Sequence, residues 1–464
     1  MSDSYRPYPA YKASGEDWLG EIPVEWRVIR VGHLSPVKRG ASPRPIDDAK
    51  YFDDEGEYAW TRIADVTKSD VYLQEAPQRL SDLGSSLSVK LEPGELFLSI
   101  AATVGKPCIT GIKACIHDGF VYFPELKIPA KFLFYIFAAG YAFQGLGKMG
   151  TQLNLNTDTV GKIKVGVGLK EELEKIVQFL DHETATIDAL IEKQQQLIAL
   201  LEEKRQAVIS HAVTKGLNPD APMRDSGVEW LGQVPAHWAI DFKLLWTSDG
   251  SKGSFVNGPF GSDLLASELK NRGVPVIYIR DIKPNGYKRK STVCVTPQKA
   301  IQLDVCRVVP GDVLVAKVGD PPGDACVYPS NTEKAVITQD VIRIRVDRRK
   351  INSYFLATLL NSNFGRILVE NVSVESTRKR VGLGDFKQVR FALPPLEEQK
   401  EISRYIEREL RVLRQLVHKA EDGIELLKER RTALISAAVT GKIDVRHWTP
   451  PAPKTQTPNP EATP

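Results

Sequence analysis

The chain has 464 residues, 42% of them hydrophobic, and a formal net charge of +4, which leaves room for two or more cored domains. It contains no uninterrupted apolar run approaching the roughly 20 residues a membrane helix needs, and its opening Met1–Pro7 lacks the apolar core of a secretory signal. An intracellular, cytoplasmic protein is the default expectation.

The first element is a short Trp-rich block, Ser14-Gly15-Glu16-Asp17-Trp18-Leu19-Gly20-Glu21-Ile22-Pro23-Val24-Glu25-Trp26, closing a segment over 1–26. A globular region follows over 27–168. Its runs Leu96–Ile100 and Phe120–Phe123 predict strands, and Phe132–Phe143 predicts a helix. From 169 to 216 the pattern becomes that of one long helix. Steps of four and three from Ile176 land on Leu180, Ile187, Leu190, Leu197 and Leu201. Seven of ten such slots are apolar, a heptad seam.

The order then begins again. Ser226-Gly227-Val228-Glu229-Trp230-Leu231-Gly232-Gln233-Val234-Pro235-Ala236-His237-Trp238 repeats the Trp-rich block 212 residues on, closing a segment over 217–238. A second globular region spans 239–393, with strands predicted at Val274–Ile279, Val313–Val315 and Val341–Val346 and a helix at Tyr354–Leu360. A second long helix spans 394–445. Its seam runs through Ile402, Ile406, Leu413, Leu416, Leu427 and Leu434, with Gly423 in the middle, and its ending repeats that of the first helix 226 residues on. Gly423 should cost about 1 kcal/mol of helix stability, marking a weak point or a close helix approach. The stretch 446–464 closes the chain, and its Pro-rich part from Thr449 reads as a disordered tail.

The chain is thus a tandem duplication of a unit of roughly 220 residues, too long for a solenoid repeat. Mixed α/β heads are expected, two tandem copies, each followed by a long helix. About 40 helical residues span on the order of 60 Å. That length favours two helices packed on each other as a spacer over two that each lie on their own head. The heads correspond through Pro93-Gly94-Glu95-Leu96 with Pro310-Gly311-Asp312-Val313, and Val104-Gly105 with Val318-Gly319. Between these anchors they diverge.

Charge separates the heads. Residues 27–168 carry +2, residues 239–393 carry +9, and the helix Lys170–Lys215 carries −3. The basic second head suits a polyanionic partner, although a solvated basic surface gives the same count. The basic and amide-bearing loops are the candidate contacts. In the first head they hold Lys38, Arg39, Arg44, Lys148, Gln152, Asn154 and Asn156, with Arg62 beside them. In the second they hold Lys252, Arg280, Lys283, Asn285, Lys288, Arg289, Lys290, Thr377, Arg378, Lys379 and Arg380. Arg reads guanine and Asn or Gln reads adenine through paired hydrogen bonds, while Lys mainly neutralises phosphate. Each loop taken singly could equally be solvated surface.

Catalytic signatures fail on context. Gly145-Leu146-Gly147-Lys148-Met149-Gly150 fits GxGxxG but follows a helical stretch, not a strand. Asp320-Pro321-Pro322-Gly323 resembles the Asp-Pro-Pro-Tyr tetrapeptide of amino-methyltransferases but lacks the aromatic ring that stacks on a flipped base, and reads as a loop between strands. The histidines show no metal-ligand spacing. The five cysteines, Cys108, Cys115, Cys294, Cys306 and Cys326, include no CxxC pair and read as buried thiols. No bound cofactor, metal site or catalytic residue is expected on this chain.

Four features together resemble the DNA specificity subunit of type I restriction–modification systems: the doubled Trp-rich block, the Leu393-Pro394-Pro395-Leu396-Glu397-Glu398-Gln399-Lys400-Glu401-Ile402 entry into the second helix, the Glu-x-Arg-x-Ala-x-Ile-Ser-x-Ala-Val-Thr helix ending, and Ser376-Thr377-Arg378 ahead of that entry. The resemblance runs from about residue 11 to 445. The first helix entry, Gly168–Leu173, departs from it by lacking Pro-Pro-Leu and Gln, and Gly150-Thr151-Gln152 lacks the Arg. The resemblance implies two target-recognition domains on an antiparallel coiled-coil spacer with pseudo-two-fold symmetry, each reading half of a split, asymmetric double-stranded DNA target. It implies two modification subunits carrying S-adenosylmethionine and methylating adenine N6, and restriction subunits using ATP and Mg. The residue-level rivals are a two-headed protein adaptor and a methyltransferase in its own right.

Overall fold

The computed structural model describes residues 6–144, 146, 155–227, 231–259, 261–374 and 379–451. The tail beyond 451 lies outside the described residues. The chain forms two compact units, Met1–Gln194 with Asp422–Pro464, and Gln195–Glu421. Each long helix, Lys170–Lys215 and Leu396–Val439, contributes residues to both.

The two heads share one plan. In each, the opening strand pairs antiparallel with the closing one, Arg27–Arg30 with Lys164–Val167 and Ala239–Lys243 with Arg390–Leu393. Between them lie two main sheets, and the second head adds two short two-stranded ones. In the first head one sheet runs Lys38–Arg39, Phe120–Tyr122, Leu96–Ser99, Pro107–Thr110, Tyr72–Leu73, and the other Arg79–Leu80, Tyr58–Thr61, Ala114–Ile116, Val89–Leu91. In the second head the sheets run Phe255–Asn257, Val341–Ile344, Val313–Ala316, Ala325–Val327, and Cys294–Val295, Val274–Ile277, Ala335–Ile337, Arg307–Val308. One parallel pair occurs in the second sheet of each head, Tyr58–Thr61 with Ala114–Ile116 and Val274–Ile277 with Ala335–Ile337.

The strands Leu96–Ser99 and Val313–Ala316 are buried throughout, which is why they read as continuous apolar runs and not as alternation. A helix covers each. Phe132 and Phe134 of Ala130–Ala138 join Leu96 and Leu98 in one core, and Phe355 and Leu359 of Ser353–Asn361 join Val313 and Val315 in the other. All five cysteines are free and buried, and burial pushes the Cys108 and Cys326 thiols up to about 12 and that of Cys115 up to about 11. The Asp320–Gly323 segment is indeed a loop, joining the paired strands Val313–Ala316 and Ala325–Val327.

The long helices do both things that their seams allow. In the first unit Ile176 and Leu180 share a core with Trp26 and Phe132, and also with Leu434 and Ile435 of the second helix. Arg431 pairs with Asp188 at 3.0 Å, while Trp448, beyond the second helix, packs on Phe179, so the helices run antiparallel there. In the second unit Ile209, Ala212 and Val213 share a core with Ile402 and Ile406.

The middle of the seam differs from expectation. Leu190, Leu197 and Leu416 are 44%, 43% and 44% exposed. The more covered positions are Ile191, Ile198 and Val417. An α-helix drifts about 20° per heptad against a strict 3.5 repeat, so the inward stripe moves onto the neighbouring residue. Leu201, Leu413 and Leu434 remain buried, and Leu427 packs on the core of the first unit. A Cβ on Gly423 would meet nothing within 4 Å. That glycine is a weak point in the helix and not a close approach.

A second difference lies in the heads. Gly105, at φ +85°, closes its hairpin by donating to Ser99 O at 2.8 Å. Its counterpart is Gly323, at φ +98°, donating to Ala316 O at 2.9 Å, and not Gly319. The second head's loop is one residue longer, which the similarity of Val104-Gly105 to Val318-Gly319 conceals.

Candidate nucleic-acid interface

The parallel strand pair in each head ends at the same place, and some of the candidate residues meet there. In the first head Thr61 and Ile116 are partners. The chain continues into Arg62 on one side and His117-Asp118-Gly119 on the other. The hairpin loop joins them, with Ile100 N donating to Gly119 O at 2.8 Å. The strand Lys38–Arg39 approaches through Gly40, where a Cβ would stand 2.2 Å from His117 O. Only glycine fits that approach.

Asp118 organises the cations. Its backbone oxygen accepts from Arg39 Nε at 2.6 Å, and its carboxylate accepts from Arg44 at 2.9 Å and Ser42 Oγ at 3.3 Å. The Arg44 side chain is 78% exposed, so this pair contributes little stability and is easily exchanged for a phosphate. His117 packs on Phe120 and Trp60. Burial lowers its pKa, and Arg62 acts in the same direction. The Thr67 hydroxyl meets that of Thr103 in the hairpin loop at 2.9 Å.

The second head repeats the backbone with other side chains. Ile277 and Ile337 are partners, Gly258 replaces Gly40 with its Cβ position 2.2 Å from Thr338 O, and Lys317 N donates to Asp340 O at 2.8 Å as Ile100 does to Gly119. Arg380 pairs with Asp340 at 3.5 Å, and Lys379 with Glu370 at 2.7 Å. Burial, then the nearby Arg380, lowers the pKa of Lys317. Arg280 stacks on Tyr278 and donates to Ser291 at 2.8 Å.

Several candidates stand elsewhere. The loop of Lys288, Arg289 and Lys290 wraps the fully buried Asp281, which accepts from Lys290 N and Ser291 N at 2.8 and 2.9 Å. Arg289 pairs with Glu333 at 3.1 Å. Asn285 and its hairpin strand Ile282–Lys283 lie apart from the sheet end, Asn285 lining a cleft against the long helices. Asn156 uses its amide oxygen to cap a helix, accepting from Thr159 N at 2.9 Å. Lys252 is exposed in a separate loop. Lys148, Gln152, Asn154, Thr377 and Arg378 lie outside the described residues.

The sheet end also holds Thr103, Asp118, Lys317 and Asp340, with Thr67 bonded to Thr103, and the sequence did not single these out. A signal existed for some of them. Gly40 and Gly258 each follow a short strand, and aligning the heads on those glycines places the loops beside them. Among the described residues no cluster of His, Cys, Asp and Glu could hold a metal, and no helix is long and apolar enough to cross a membrane.

The profile of the type I restriction modification DNA specificity domain matches residues 23–200 and again 265–426. The chain belongs to this family. The type I restriction enzyme MjaVIII specificity subunit of Methanocaldococcus jannaschii is 22% identical over 442 residues, covering 92% of this chain and 95% of that one. The type I restriction enzyme StySPI specificity subunit of Salmonella potsdam is 22% identical over 417 residues, covering 84% and 82%. A chain solved in work on complex assembly and conformational transition of the type I R-M system superposes with a TM-score of 0.62 at 16% identity, covering 91% of this chain and 99% of that one. The HsdS subunit from Thermoanaerobacter tengcongensis superposes at 0.51 and 17%, covering 91% and 98%. At such identities the structural likeness establishes the fold. Membership in the specificity family, matched once per unit, makes this a DNA-specificity chain of the type I class and sets aside the adaptor reading.

Proposed function

We propose that each head reads one half of a split, asymmetric double-stranded DNA target through the sheet end described above. Arg39, Arg44 and Arg62 act in the first head, and Lys317, Lys379 and Arg380 in the second. The observation that carries this reading is the repeated backbone with unlike side chains. Ile100 beside Gly119 in one head stands where Lys317 beside Asp340 stands in the other, so one scaffold presents two different donor and acceptor patterns.

The chain itself performs no chemistry in this account. Two modification subunits bring S-adenosylmethionine and methylate adenine N6, and restriction subunits use ATP and Mg. The long helices set the number of unread base pairs, because two half-site contacts reinforce each other only when the spacing fits. Selection of bound duplexes from a random library by the chain with its modification subunits tests this. Recovery of one bipartite motif with a fixed gap supports it. A single uninterrupted motif, or none, overturns it.

A further inference from the structure

The two units repeat one backbone but not its charges. The hydrogen bonds Trp26 Nε1 to Glu172 and Trp238 Nε1 to Glu398, each 3.0 Å, fix the helix register of the repeat. By that register Asp188 corresponds to Arg414. By the shared helix ending Arg431 corresponds to Arg205. In the first unit the two positions form an ion pair, Arg431 with Asp188 at 3.0 Å, with Asp70 at 3.8 Å from the same guanidinium. In the second unit both positions are arginine.

Those two arginines line one cleft of about 630 Å³ together with Lys400 and Arg404, and Asn285 and Tyr354 of the head line it too. Glu407 is the sole acidic residue lining it, and its carboxylate faces Arg411 at 3.3 Å. Arg205 has a carboxylate neighbour only on its own helix, Glu202 at 3.2 Å, and its Nε is buried without a hydrogen-bond partner. Among the described residues neither Arg404 nor Arg414 has a carboxylate within 4 Å. Lys400 pairs with Glu397 on its own helix at 2.7 Å, so Arg404 and Arg414 are the two lining cations without a carboxylate, and like charges gathered in a concave site raise each other's energy unless an anion joins them. The planar fork of arginine matches phosphate oxygens in pairs.

We propose that this cleft of the second unit binds a small oligophosphate, the charge of which takes the place of the carboxylates at Asp188 and Asp70. None of the residues proposed to read DNA lines this cleft, which favours a free oligophosphate chain over the DNA backbone. Tyr354, 62% exposed beside the cleft, offers a ring on which a nucleoside attached to that chain can stack.

Thermal unfolding of the full chain with inorganic tripolyphosphate, and with Mg-free ATP, tests the proposal at constant ionic strength. The expected result is a saturable rise in melting temperature, larger for ATP if the nucleoside stacks. Arg414→Asp rebuilds the pair of the first unit and should abolish the rise without lowering the starting melting temperature. Arg404→Ser, a milder change, should weaken tripolyphosphate binding about tenfold in calorimetry, the loss of one charge-assisted contact. Arg380→Ser, at the DNA-reading face, should leave binding unchanged. No saturable effect on the unaltered chain, or an effect that survives both cleft substitutions, overturns the proposal. A requirement for Arg380 moves the anion to the DNA face and overturns it equally.

Discussion

The indole nitrogen of Trp26 donates to the Glu172 carboxylate at 3.0 Å, and the same oxygen accepts from the Tyr8 hydroxyl at 2.5 Å. All three side chains are buried. The contact ties the Trp-rich block to the first turn of the first long helix. Its counterpart, Trp238 with Glu398, ties the second block to the second helix. The doubled Trp-rich motif and the doubled helix entry are therefore two halves of one joint, which explains why the Glu is present even where the Pro-Pro-Leu of the entry is not.

Removing Glu172 leaves two buried donors without an acceptor. Glu172→Ala is expected to destabilise the first unit by about 1–3 kcal/mol, and Glu172→Gln by less. Glu398→Ala should act more weakly, because its carboxylate is partly exposed and also meets the exposed His237. Urea denaturation of the three variants against the unaltered chain checks the order.

Much of the fold is legible in the sequence because its strands are unambiguous. Leu96–Ser99 and Val313–Ala316 are apolar runs of strand length, and the heptad seams announce the helices. The failures have physical causes. A strict heptad count placed Leu190, Leu197 and Leu416 inward, whereas the real helix turns a little farther and exposes them. At the candidate site arginine is visible as a type, so Arg39, Arg44, Arg62 and Arg380 were named as candidates from the sequence. Asp118 and Asp340 were not, because an acid beside a polyanion site has meaning only once the loop that carries it meets the cations.

Arg343 and Asp312 form a pair 1% and 3% exposed at 3.7 Å. Arg343 also donates to Val305 O at 2.9 Å and to Gly253 O, and burial lowers its pKa. Breaking a buried pair leaves an uncompensated charge. Asp312→Ala should cost about 3–5 kcal/mol, because the same carboxylate accepts from Arg345 at 3.2 Å and both arginines lose their partner. The unfolding free energy of that variant checks this.

His117 has its pKa lowered from 6.5, first by burial. Below pH 6.5 the unfolded chain binds the proton and the folded chain resists it. The stability present above that value is therefore lost as pH falls through the lower, folded pKa. Melting temperatures from pH 7.5 down to 5 should fall more steeply for the unaltered chain than for His117→Asn. Equal slopes would contradict the assignment.

Arg39→Ala and Arg380→Ala test the two faces separately. Each should weaken binding by about 1–3 kcal/mol where a base contact is lost, and each should relax sequence preference in one half of the target only. Uniform weakening over all sequences would make the residue a phosphate contact. Binding and library selection on the two variants decide between these.

Gly423 costs helix stability with no packing in return, since a Cβ there meets nothing within 4 Å. Gly423→Ala is expected to raise stability by about 1 kcal/mol. A loss of stability in thermal unfolding would mean that the glycine serves a contact.

The most direct test of the account is a genome-wide map of N6-methyladenine in cells expressing this chain with its modification subunit, against cells lacking the chain. The account predicts one new split motif, asymmetric in its two halves, with a methylated adenine in each. Exchanging the second head alone should change one half only. No new motif from a soluble complex, or a change in both halves after the exchange, would contradict it.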